Sequence, residues 1–120
     1  ASLIRSIETL NAPELSEGIH PASLGLRCAS NSPATVDGEE IVNQATLTQI
    51  YGVAKCGEII FRYQYTGDGE LELGPLKDTL EFQGEPLSPG MFILGLPGNH
   101  TFLLPRLDAP AFPVEIQVLR

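Results

Sequence analysis

Tryptophan is absent from the chain, methionine occurs once, and lysine and arginine together number seven among 120 residues. Each shortage closes a route. With no Trp, and with five Phe and three Tyr to share between core and surface, there is little aromatic surface for stacking sugars or single-stranded bases. Seven cations against fifteen acids leave a net charge of −8, which repels nucleic-acid phosphate and anionic membrane surfaces alike. No apolar run approaches the roughly 20 residues of a membrane-spanning helix. The longest, Met91 to Leu96, is one strand long. The two histidines, His20 and His100, lie in no HExxH or GxSxG context, and His100 reads as a turn residue. The expectation is a protein with no catalytic residues, no metal ligands and no cofactor.

The cysteines are few but informative. Cys28 and Cys56 are the only pair. They are too far apart for a CxxC redox motif and lack the clustered histidines of a zinc site. An even count in an exported chain reads as a disulfide, the alternative being two buried free thiols. The sequence opens at Ala1-Ser2, small residues that suit the position after a signal-peptide cleavage site and equally an arbitrary boundary. The acids gather mid-chain: Asp68, Glu70, Glu72, Asp78, Glu81 and Glu85 against Lys77. A docking face for a basic partner and a calcium site are two readings, and a solvated sheet face is the plainer one. Gly67-Asp68-Gly69-Glu70 lacks the ligand series of an EF-hand and reads as a hairpin turn. Asn99-His100-Thr101 is a formal N-glycosylation sequon.

Ten prolines and twelve glycines, spread along the whole length, leave few windows for a helix. Between them lie short apolar runs at strand spacing. Leu3–Leu10 reads as a first strand, with a helical alternative. Leu24–Cys28 alternates, and Ser30–Gly38 has loop composition. Glu39–Tyr51 is open between a short helix and a strand in its second half. Glu58–Thr66 is the strongest strand, and across Gly67–Gly69 it forms a hairpin with Glu70–Leu73. Thr79–Gln83, Met91–Leu96, Thr101–Leu104 and Val114–Leu119 follow. Met91–Leu96 and Thr101–Leu104 are apolar on both faces, as in strands sandwiched in a core. The fold class expected is all-β: a β-sandwich of about eight short antiparallel strands, a single domain over residues 1–120.

Two segments carry a family resemblance. Ile19-His20-Pro21-Ala22-Ser23-Leu24-Gly25-Leu26-Arg27 resembles a proline-led approach to an early strand. Ile59-Ile60-Phe61-Arg62-Tyr63, with Leu87-Ser88-Pro89-Gly90-Met91-Phe92-Ile93 further on, resembles paired core strands reached by a Pro-Gly turn. On these segments the chain resembles the lipoprotein pilotins of type III secretion secretins (the YscW/ExsB family), nearest the ExsB type. The resemblance implies a β-sandwich on the periplasmic side of the bacterial outer membrane, held there by a lipidated N-terminal cysteine that this chain does not contain. It implies a monomer whose partner is a secretin subunit, which it helps to reach and assemble in the outer membrane. A partner segment would then bind at a strand edge or in an apolar groove between the sheets. The candidates are Ile93, Leu94, Phe102 and Leu103, unless these simply form the centre of the core. A secreted structural or adhesion-type sandwich without catalytic activity is the alternative function.

Overall fold

Alternation decides most of the architecture, and the sixth strand shows it best. Across Ile59–Tyr65, residues Ile59, Phe61, Tyr63 and Tyr65 are buried while Ile60, Arg62 and Gln64 face outward, the period-two pattern of a strand lying on a core. The computed structural model of the protein describes residues 22–28, 32–65 and 70–119. In chain order the strands are β1 Ser23–Cys28, β2 Ala34–Val36, β3 Glu39–Glu40, β4 Ala45–Thr46, β5 Tyr51–Cys56, β6 Ile59–Tyr65, β7 Leu71–Pro75, β8 Leu80–Phe82, β9 Glu85–Leu87, β10 Ile93–Leu94, β11 Gly98–Leu104 and β12 Phe112–Leu119. They form two six-stranded antiparallel sheets, β4-β1-β12-β11-β8-β9 and β10-β7-β6-β5-β2-β3. The all-β sandwich expected from the sequence is therefore the fold, with more and shorter strands than the eight anticipated.

The inner faces interlock through aromatic rings. Phe61 of one sheet meets Phe102 of the other with centroids 4.9 Å apart, and Phe82 stacks on Phe102 at 5.0 Å. Around them lie Leu24, Leu71, Leu73, Leu80, Val114, Ile116 and Val118, each at most 1% exposed. Burying a side chain of that size stabilises the fold by roughly 1.5–3 kcal/mol. The Cys28–Cys56 disulfide forms as expected, with Cα atoms 5.6 Å apart. It does not join neighbouring strands of one sheet. Cys28 ends β1 and Cys56 ends β5, so the bridge ties the two sheets together.

Several expectations are corrected. Ser30–Gly38, read as a loop, contains β2, which pairs with β5 from Ala34↔Cys56 to Val36↔Ala54. The helix allowed for in Glu39–Tyr51 is absent, and that segment holds β3, β4 and the start of β5. His100 lies within β11, opposite Ile116, and not in a turn. Met91–Leu96, expected between other strands in the core, contributes only β10 at the edge of its sheet. Leu3–Leu10, His20 and Asp68 lie outside the described residues. The flanking pairs Phe61↔Pro75 to Tyr65↔Leu71 establish the β6–β7 hairpin.

Candidate docking edge

The four residues expected to line one groove do not share a surface. Ile93 and Leu94 belong to one sheet, Phe102 and Leu103 to the other. Phe102 is fully buried and is a central core residue. Ile93, half-buried, packs against the same core. Strand alternation turns their neighbours the other way: Leu103 is half-buried opposite Pro113, and Leu94 is exposed opposite Glu72. Of the four, only Leu94 presents a large open apolar side chain, 45% exposed.

What surrounds Leu94 makes it more than an isolated surface residue. Among the described residues five large hydrophobic side chains are exposed, and Met91, Leu94 and Leu96 are three of them, within six residues of chain. Sequence reading passed over Met91 and Leu96 because a run apolar on both faces looks like a core strand. The flanking Pro89-Gly90 and Gly95 were the available sign that this run is short.

Among the described residues β10 pairs on one side, with β7. Ile93 stands opposite Leu73 and Leu94 opposite Glu72, and the Gly95 N–H donates to the Leu71 carbonyl at 2.6 Å. In an antiparallel ladder alternate pairs bond. Gly95 and Ile93 therefore face β7, and Leu94 turns its N–H and C=O to the open side. The Leu94 carbonyl accepts from the Leu96 N–H at 3.1 Å, which leaves the Leu94 N–H as the outward donor. No strand pairs beyond β10 among the described residues.

The approach to this edge is fixed by a close crossing. The Met91–Phe92 backbone passes over Gly74 of β7, and a Cβ there would run into the Met91 carbonyl oxygen and lie 3.3 Å from the Phe92 Cα. Glycine is required for that approach. Phe92 is further covered by Arg62, whose guanidinium lies 5.7 Å from the ring centroid, a cation–π contact. After β10 the chain crosses to the other sheet at Gly95–Pro97, and the crossing is pinned where the His100 Nε2 lies 2.7 Å from the Leu96 carbonyl. The His100 ring in turn lies 6.2 Å from Phe82. Beside it, Asn99 to Thr101 of β11 run past the end of β8, whose pairs with β11 are at Phe102 and Leu103. A 390 Å³ hollow bordered by Phe82, Gly84 and His100 occupies that flank.

Sheet edges are normally blunted by charge or proline. Here β3 is two exposed glutamates, β9 carries Glu85 and Pro86, and β4 is the small pair Ala45-Thr46. Among the described edge strands only β10 offers two large apolar residues without a charge. Of the mid-chain acids, Glu72 lies on β7 and Glu81 on β8 in the other sheet, so these two share no face. Among the described residues no three His, Cys, Asp or Glu side chains converge on a point.

The other polar feature of note lies inside the fold. The Tyr63 hydroxyl donates to Asp37 Oδ2 at 2.6 Å, and Asp37 Oδ1 accepts the Val53 N–H at 3.1 Å. Burial, and then the carboxylate beside it, push the Tyr63 hydroxyl far above the ordinary tyrosine range. That hydroxyl is held neutral as a structural donor. A 210 Å³ mouth beside the disulfide is bordered by Ile59, Leu104, Arg106 and Phe112. There Arg106 lies over the Phe112 ring, 4.8 Å from its centroid. No family model matches the chain, and comparison with characterised proteins and with solved structures found no match.

Proposed function

We propose that this chain is a non-catalytic binding module of an oxidising compartment, and that its partner is a secretin subunit, which it helps to reach and assemble in the bacterial outer membrane. The observation that carries the binding reading is the edge β10, beyond which no strand pairs among the described residues, with Met91, Leu94 and Leu96 exposed around it. Exposed apolar side chains beside unpaired backbone groups favour a protein segment as ligand over a small molecule. The inter-sheet disulfide suits a compartment outside the cytoplasm. The secretin as partner, the periplasmic location and the lipid anchor come from the pilotin resemblance of residues 19–27, 59–63 and 87–93.

The test is retention of a secretin subunit by the immobilised protein, together with the amount of assembled secretin in outer membranes of cells with and without its gene. The proposal expects saturable retention and a loss of assembled secretin on deletion. No retention and unchanged assembly would leave the adhesion-type sandwich as the better reading. A precursor whose signal peptide ends without a lipobox cysteine would also count against the pilotin.

A further inference from the structure

We infer that the occupant of β10 is an extended segment of the partner protein that adds to the sheet as a further strand, with apolar residues alternating with lysine or arginine. This rests on the binding-module reading and specifies what the segment must look like.

Strand addition needs an outward backbone donor, an edge free of charge and proline, and side chains that reward the right sequence. Leu94 supplies the donor, since its N–H points away from β7. Ile93 and Leu94 supply the uncharged edge. The side-chain pattern follows from the period of two. A residue added opposite Leu94 shares the outer face of the sheet with Leu94 and, one strand further in, with Glu72. Two strand spacings, about 9.6 Å, separate its Cβ from that of Glu72, within reach of a lysine or arginine pairing with the carboxylate. The cation already on that face, Arg62, lies over Phe92. Residues at the alternate positions of the added strand turn inward beside Ile93, which packs on the core, and favour apolar side chains. The net charge of −8 attracts a basic segment over a longer range. It also opposes edge-to-edge pairing with a second copy, which would bring two such charges together.

The experiment uses a fluorescent ten-residue peptide alternating valine and lysine, and a counterpart alternating valine and glutamate, titrated by anisotropy. The lysine peptide is expected to bind at least about tenfold tighter, with affinity falling as salt rises. The Leu94→Pro variant removes the outward donor and leaves the bonds of Ile93 and Gly95 to β7, a position where proline is tolerated. It should keep the melting temperature and lower lysine-peptide affinity about tenfold, the scale of one lost hydrogen bond. Leu94→Lys, which keeps the donor and adds a repelling charge, should weaken the same peptide even if the proline variant fails to fold. Glu72→Gln should narrow the preference between peptides while strand addition persists. Equal binding of both peptides, or full affinity in folded Leu94→Pro and Leu94→Lys, overturns the inference. So does concentration-dependent dimerisation of the wild type that Leu94→Pro abolishes, which would assign the edge to a second copy. A secretin subunit retained equally by wild type and by both Leu94 variants would keep the proposed function and remove this edge from it. A peptide bound at the edge without secretin retention would do the reverse.

Discussion

Tyr63 illustrates how a hydroxyl is carried into an apolar core without cost. Opposite it in the ladder stands Gly52, and the missing side chain leaves the space that the Asp37 carboxylate enters. A Cβ on Gly52 would collide with Asp37 Oδ1 and come within 2.5 Å of the Tyr63 hydroxyl. Asp37 reaches that space through a left-handed backbone, φ 53°, which aspartate tolerates better than most residues. Removing the hydroxyl in Tyr63→Phe takes a hydrogen bond from a carboxylate and should cost about 1.5–3 kcal/mol in urea unfolding. The same pair sets a pH dependence. The folded pKa of Tyr63 is raised, so the folded state holds its proton where the unfolded chain, near pKa ~10, has lost it. This contribution is fully present below about pH 10 and declines as pH rises above it. Stability measured against pH should therefore fall above about pH 10 in the wild type, and this part of the fall should disappear in Tyr63→Phe. None of this was legible in the sequence, since Asp37 read as a loop acid and its contact with Tyr63 spans 26 residues.

At the scale of the elements, legibility followed length and alternation. β6 and β12 were plain because buried and outward residues alternate along them, and the β6–β7 hairpin because Glu70 to Leu73 alternate after a glycine turn. β5 was hidden: Gly52, Val53 and Ala54 are all buried in sequence, so no alternation marks them. β2 was hidden because Pro33, Asp37 and Gly38 give its three residues the composition of a loop. Leu94 was named as a partner contact, but the supposed groove mixed two sheets because a one-dimensional apolar run cannot show that β10 and β11 part company at Gly95–Pro97. Gly74 is the element-scale determinant of the docking edge. In Gly74→Ala the new methyl meets the Met91 carbonyl oxygen, so the Met91–Phe92 crossing must lift and β10 must loosen from β7. Overpacking of this kind costs about 1–3 kcal/mol. Its local signature is faster amide exchange at Ile93 and Gly95, with the β11–β12 ladder unchanged.

For the whole molecule the disulfide is the largest single constraint. It links cysteines 28 apart in sequence and joins the two sheets, worth about 3–4 kcal/mol in the chain-entropy account. The pairing was legible from the cysteine count. Its placement between sheets was not, because that depends on β1 and β5 falling on opposite layers. The double variant Cys28→Ser with Cys56→Ser should lose that amount in urea unfolding. The Leu94 edge is separated from β5 by β7 and β6 in the sheet and should still bind its partner, as long as the variant is folded. Docking at that edge is tested most directly by amide hydrogen exchange at Leu94 with and without the secretin subunit. An outward donor of an edge strand exchanges quickly in the free protein, and an added strand would bond it. Protection at Leu94 on binding, with little change beside the disulfide at Ile59 and Phe112, is the predicted result. Protection confined to the disulfide mouth, with the Leu94 amide still exchanging quickly, would contradict it.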